Sequence, residues 1–293
     1  MSDALLTSTQ TRESRWRHAL TLASHSPSLT MGALLLLAIC VLAIGAPYFT
    51  HNDPLDMVGT PFSWPGADPA FPLGTDMMGR DMFSGIAYGA RVSLEIGLAA
   101  GLLATFAGLV IGAVAGFYGG LVDDLLMRIT ELFQTMPALL FTIVMVVVLH
   151  PSVATIVLGV ALTNWPQVAR LVRAEALRVS RAEYVQAAIV TGMRRPRIVV
   201  THVLPNVATT AIVMLSILAG NAILTEAVLS FLGLGDPNVV TWGSMIGSGR
   251  EALQTAWYMT ALPGFAVLVT VLSLNLIGNG LNDLANPHRR RTR

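Results

Sequence analysis

Residues 92–117 read VSLEIGLAAGLLATFAGLVIGAVAGF, with Glu95 as the one ionisable side chain. An α-helix needs about 20 consecutive apolar residues to cross the hydrocarbon core of a bilayer, whereas a barrel strand alternates and needs only about 10. This run is unbroken, so it is a spanning helix. Its glycines, Gly97, Gly101, Gly108, Gly112 and Gly116, supply faces on which neighbouring helix backbones can approach closely. Five further blocks have the same character: 31–49, 137–149, 153–168, 207–232 and 258–281. The blocks at 137–149 and 153–168 are short and reach span length by borrowing flanking residues, with His150-Pro151-Ser152 as the turn between them. The expectation is an all-α polytopic membrane protein of six transmembrane helices. Composition agrees: 54% of the 293 residues are apolar and 12% charged, too few charges to solvate a soluble chain of this length.

Arginine sets the orientation. All 18 basic residues are Arg, and with six spans 15 of them fall on the side that holds both termini. Arg80, Arg91 and Arg250 fall on the other. The positive-inside bias places both termini in the cytoplasm. The first apolar block is preceded by about 30 residues and is of full span length, so it reads as an uncleaved anchor rather than a signal peptide. The lone Cys40 excludes an intramolecular disulfide. The near-neutral net charge of +1 gives no reason to expect nucleic-acid binding.

The chain then divides into a cytoplasmic tail (1–29) with a short interfacial helix near Trp16, a first span (30–49), a Pro/Gly-rich extracytoplasmic segment (50–89), a core of five spans (90–282) and a basic tail (283–293). Within the core, the cytoplasmic loop 170–205 is too long for a turn. Ser180-Arg181-Ala182-Glu183 has the form of a capping box, with Ser180 as N-cap and Glu183 reaching back to it. Ala187, Ala188, Thr191 and Gly192 follow at helical spacing, and Arg194, Arg195 and Pro196 mark a C-terminus. This predicts a short helix with a small-residue face, packed on the protein's own inner ends or held out to another protein's cleft.

Two carboxylates within the apolar blocks are notable. Glu226 lies within the fifth span, either as a polar group of a pathway or as a packing hydrogen bond. Glu95 is placed to pair with Arg91 at i−4. The six histidines are scattered, no metal-ligand spacing occurs, and no nucleophile elbow has its strand–helix context. A phosphate-binding Walker A loop requires Lys, and the chain has none. ATP hydrolysis is therefore excluded for this chain by itself. A secondary carrier would call for repeated halves and mid-membrane coupling groups, and an intramembrane protease for paired catalytic residues; neither pattern is present.

Residues 183–192 (Glu-Tyr-Val-Gln-Ala-Ala-Ile-Val-Thr-Gly) with His202-Val203-Leu204-Pro205-Asn206 resemble the EAA loop of importer-type ABC-transporter permeases. In that loop two alanines precede a glycine by four residues, and the glycine precedes Leu-Pro by twelve. Gln186 and His202 depart from the general pattern toward the dipeptide/oligopeptide/nickel branch. Residues 72–81, 229–235 with Trp242-Gly243, and 276–283 resemble that branch as well, with Asn279 where Asp is common. The matches extend over roughly 28–287 and resemble the C-type subunit of a permease pair. The resemblance implies a type I importer permease fold and a second, distinct permease subunit embedded beside it in the lipid. It also implies two cytoplasmic ATPases that bind ATP and Mg, and an extracytoplasmic solute-binding protein. It marks Glu183, Tyr184, Ala187, Ala188, Gly192, Leu204 and Pro205 as the ATPase-coupling element, with no cofactor or metal bound by this chain. Glu183 has two candidate roles, helix cap and partner for a basic group on the ATPase. The implied cargo is a di- or oligopeptide, a nickel complex or a related small solute.

Overall fold

The computed structural model describes residues 27–50 and 52–285. The expected interfacial helix near Trp16, and nearly all of both tails, lie outside those residues. The described chain is helical: α1 (Pro27–Phe49), α2 (Met82–Tyr118), α3 (Gly120–Thr135), α4 (Ala138–Leu149), α5 (Val153–Ser180), α6 (Glu183–Val190), α7 (Arg195–Phe231), α8 (Trp242–Gly249) and α9 (Tyr258–Ala285). Two isolated antiparallel bridges, Met57–Arg80 and Thr75–Asp81, are the β-structure among the described residues.

α2 is the central post. Its glycines divide between two partners. A Cβ at Gly97 would lie 2.7 Å from Ile223, and one at Gly101 3.2 Å from the Ala219 nitrogen, both on α7. Gly108, Gly112 and Gly116 instead meet α5; a Cβ at Gly116 would sit 2.6 Å from the Arg173 carbonyl oxygen. The backbones approach this closely because nothing projects between them, and in lipid such packing replaces the missing hydrophobic drive between helices. A core of small and β-branched residues, including Ala104, Ala113, Val168, Val172 and Ala176, fills the α2–α5 seam.

Four helices, α1, α2, α7 and α9, are long and apolar enough to cross a membrane, or five if α3 and α4 together make one broken span. The short block at 137–149 does not extend as expected. α4 has 12 residues, about 18 Å, and α3 meets it at 83°. Pro137 removes a backbone donor at the junction, and Phe133 stacks on Phe141 and Trp165 across the bend, at centroid distances of 6.3 and 5.5 Å. α5 does extend, to 28 residues, about 42 Å. Its C-terminal half is polar, carrying Arg170, Arg173, Glu175 and Arg178.

The segment expected as loop through residue 89 ends earlier. α2 begins at Met82 because Asp81 caps it, accepting from the Phe83 and Ser84 nitrogens. The preceding residues are folded, not merely turn-rich. The Tyr258 hydroxyl shares its one proton between the carbonyls of Thr75 (2.7 Å) and Ser63 (2.9 Å), and Trp64 packs on Tyr258 at 5.4 Å. Trp242 is fully buried against α2, its indole N–H donating to the Ile86 carbonyl.

Candidate ATPase-coupling surface

The arginine-rich end of the molecule carries α6, joined to α5 by only Arg181 and Ala182. The expected capping box is not formed. Ser180 still belongs to α5, where its hydroxyl donates to the Leu177 carbonyl 2.9 Å away, and Ala182 occupies the N-cap with no side-chain cap. Glu183 is the exposed first residue of α6 and makes no capping hydrogen bond among the described residues. The helix also stops earlier than Arg194 and Pro196 suggest. Gly192 takes φ +81°, its nitrogen donates to Ile189, and the Met193 nitrogen donates to Ala188. That is the paired-bond stop in which glycine enters the left-handed region without a Cβ penalty. Pro196 lies in the first turn of α7 instead.

The small-residue face is split by the fold. Val185 and Ala188 are buried, packed with Val179, Ile198, Val203 and Val207 at the arginine-rich ends of α5 and α7. Ala188 therefore faces the protein's own core. Tyr184, Gln186, Ala187, Val190 and Gly192 are exposed. Val190, 87% exposed, was not singled out by the sequence. Its signal was an apolar residue two before the glycine stop and three after Ala187, on the side away from Val185 and Ala188.

α7 starts with an irregularity. Residues Val199–Val203 form a π-helical stretch, and the Leu204 nitrogen bonds back to Val199. Pro205 has no N–H to offer, so the ladder cannot continue regularly through this point, and a wide turn carries it past. Leu204 is partly buried in the α5–α7 core, whereas Pro205 is exposed. The Tyr184 ring meets the His202 ring edge-on at 6.0 Å, joining α6 to this stretch.

One ion pair braces the region. Arg173 on α5 donates through Nε and Nη2 to the two oxygens of Asp123 on α3, at 2.5 and 2.6 Å. The Asp123 side chain is 12% exposed and that of Arg173 35%. A bidentate pair of this kind fixes orientation as well as distance. Sequence reasoning missed it because the two residues are 50 positions apart and neither forms a local motif.

Glu226 sits elsewhere, near the opposite end. It is fully buried, accepts from the Ser230 hydroxyl at 2.6 Å, and leaves Oε2 without a hydrogen-bond partner among the described residues. It faces protein where α8 crosses α7, since a Cβ on Gly243 would lie 2.6 Å from the Cα of Ala227. The expected Arg91–Glu95 pair is absent: Arg91 lies over the Tyr88 ring, 5.8 Å from its centroid, and a cation has a favourable alternative there. No group of three or more His, Cys, Asp or Glu placed to hold a metal occurs among the described residues.

Residues 108–291 match the family described as "Binding-protein-dependent transport system inner membrane component", a stretch that includes α5, α6 and α7. The chain is 36% identical over 270 residues to the di/tripeptide transport system permease protein DppC of Pseudomonas aeruginosa, covering 90% of this chain and 89% of the relative. It is 36% identical over 263 residues to the dipeptide transport system permease protein DppC of Haemophilus influenzae, covering 88% and 89%. It is 33% identical over 281 residues to the oligopeptide transport system permease protein OppC of Bacillus subtilis, covering 95% and 91%. The all-helical, membrane-length fold and these matches lead to one assignment: the chain belongs to the family of binding-protein-dependent transport system inner membrane components, as a permease subunit.

Proposed function

We propose that this chain is one of two permease subunits of an ATP-driven importer of di- or oligopeptides or a related small solute. In this reading it crosses the membrane six times with both termini in the cytoplasm, and α6 is the helix on which cytoplasmic ATPases act. The observation that carries it is the two-sided character of α6. Val185 and Ala188 anchor it to α5 and α7, and Tyr184, Ala187 and Val190 are left uncovered at the arginine-rich end.

Three further points support the reading. The relatives named above are peptide permeases. α5 serves as a sixth crossing even though it is not apolar throughout, because much of its surface is buried against α2 rather than turned to lipid. A Walker A loop needs a Lys, which the sequence lacks, so in this reading ATP and Mg are bound on partner chains. The remaining partners are a second, distinct permease and an extracytoplasmic solute-binding protein.

The test is purification of the tagged chain from its native membrane, beside an Ala187→Trp/Val190→Asp variant. Ala188 and Gly192 are unsuitable positions, since one is buried and the other needs left-handed backbone. The expected result is recovery of a Walker A ATPase and a second permease, with at least a tenfold loss of the ATPase alone in the variant. Recovery of the chain by itself in both forms would overturn the proposal.

A further inference from the structure

At the arginine-rich end, α5, α7 and α9 enclose an open cleft of about 710 Å3. Its polar lining is Glu175 and Arg178 on α5, Asn206, Thr209 and Thr210 on α7, and Asn282 on α9. Glu175 and Arg178 pair with each other, so the wall carries no net charge. The amide character continues past the cleft toward the middle of the bundle. Asn275 and Asn279 precede Asn282 by seven and three residues, on one face of α9, and both are exposed. On α7, Asn221 is exposed and lies in helical register with Asn206 and Thr210. Gly278 and Gly220 lie where α7 and α9 touch, so the two rows run side by side: a Cβ at Gly278 would reach Ser216, and one at Gly220 would reach Val271. Beyond them, in the outer half, the exposed positions become Leu224, Val228, Leu268 and Leu272.

Five asparagines on exposed faces of otherwise apolar spanning helices do not suit a lipid contact. Each amide placed in hydrocarbon without a partner loses its hydration uncompensated, whereas water or a hydrogen-bonding cargo removes that penalty. The side chains of Asn221, Asn275 and Asn279 make no hydrogen bond among the described residues. An asparagine offers a donor pair and an acceptor, the complement of a peptide unit, and no charge to select among side chains.

Building on the permease reading, we infer that the Asn275–Asn279–Asn282 face of α9 and the Asn206–Asn221 face of α7 form the inner, water-filled part of the translocation pathway. They hold the cargo through its backbone amides, and the leucine and valine positions beyond them form its apolar outer limit.

The test uses the assembled complex in lipid nanodiscs and proteoliposomes, with Cys40→Ser as the background. Single cysteines at Asn275 and Asn279 should react with a charged, membrane-impermeant methanethiosulfonate in the nucleotide-free or the ATP–vanadate state. A control cysteine at Leu34 on α1 should not react in either. The Asn275→Leu/Asn279→Leu variant should lower binding-protein-driven uptake of dialanine at least tenfold, with subunit composition and melting temperature unchanged. Unreactive cysteines in the assembled complex would mean that a partner chain or lipid covers this face, and would overturn the inference. So would uptake unaffected by the double leucine variant. No dialanine uptake by the unmodified complex would count against the peptide reading above, and the labelling pattern would still decide the assignment of the face.

Discussion

The two ends of this bundle are built differently. At one end, residues 52–81, α8 and the start of α9 are tied by hydrogen bonds between parts of the chain far apart in sequence. Tyr258 holds the Ser63 and Thr75 carbonyls, and Trp242 holds Ile86. At the arginine-rich end, α3 and α6 leave large apolar side chains open, Leu121 and Val190 each 87% exposed, and one bidentate ion pair ties α3 to α5. The first end is cross-tied within this chain, although Met57, Phe62 and Trp257 stay exposed on it. The second presents open apolar side chains of the kind that mark interaction sites.

This contrast can be broken by mutation, and the largest effect belongs to the cross-tied end. Trp242→Ala empties a fully buried site and frees the Ile86 carbonyl. A destabilisation of about 3–5 kcal/mol is expected, read as a lowered melting temperature of the detergent-purified chain. Asp123→Asn tests the brace at the other end. Arg173 keeps a third of its side-chain exposure and can still reach water, so the loss should be about 1–2 kcal/mol. ATP-coupled uptake should fall more than stability does, because α5 leads directly into α6. An equal fall in both would show the pair to be structural only.

A pH effect sharpens the comparison further. Asp236, in the loop before α8, titrates below its ordinary value because the Asn238 backbone N–H donates to it, joined by the Val153 N–H and the Asn238 amide. With the folded value depressed, its contribution to stability is complete above the ordinary aspartate pKa of about 3.9 and is lost as pH falls through the lowered value. Melting temperature should therefore show no Asp236-dependent change between neutral pH and about pH 5. Asp236→Asn should remove the dependence that appears below it. The smallest effect is at α6: Ala187→Trp/Val190→Asp, decisive for ATPase recovery, should alter the stability of the isolated chain by no more than about 0.5 kcal/mol. A large loss there would mean that the outer face of α6 is part of the chain's own fold.

Much of this architecture was legible in the residues, and what escaped did so for physical reasons. The long spans follow from unbroken apolar runs, and the glycines at 97, 101, 108, 112 and 116 do mark close helix contacts. Which partner each glycine meets was not legible, because spacing along one helix says nothing of what lies opposite. The short helix at 183–190 was expected, but its ends were misread. Ser180 and Glu183 have capping-box spacing, yet α5 continues through Ser180, and tertiary packing of Val179 outweighs the local cap. Likewise Pro196 stops nothing, since Gly192 has already turned the chain. The bend between α3 and α4, and the Asp123–Arg173 pair, depend on contacts between separate elements that no local pattern encodes.

The π-helical stretch at Val199–Val203 has a consequence for register. It amounts to one surplus residue wound into the helix, and one residue corresponds to about 100° of azimuth on an α-helix. Everything on the α6 side of that insertion is offset by this angle from where an uninterrupted α7 would aim it. The direction in which α6 points is thus set by a local winding number, and a single-residue deletion between 199 and 203 would swing it about the helix axis like a crank.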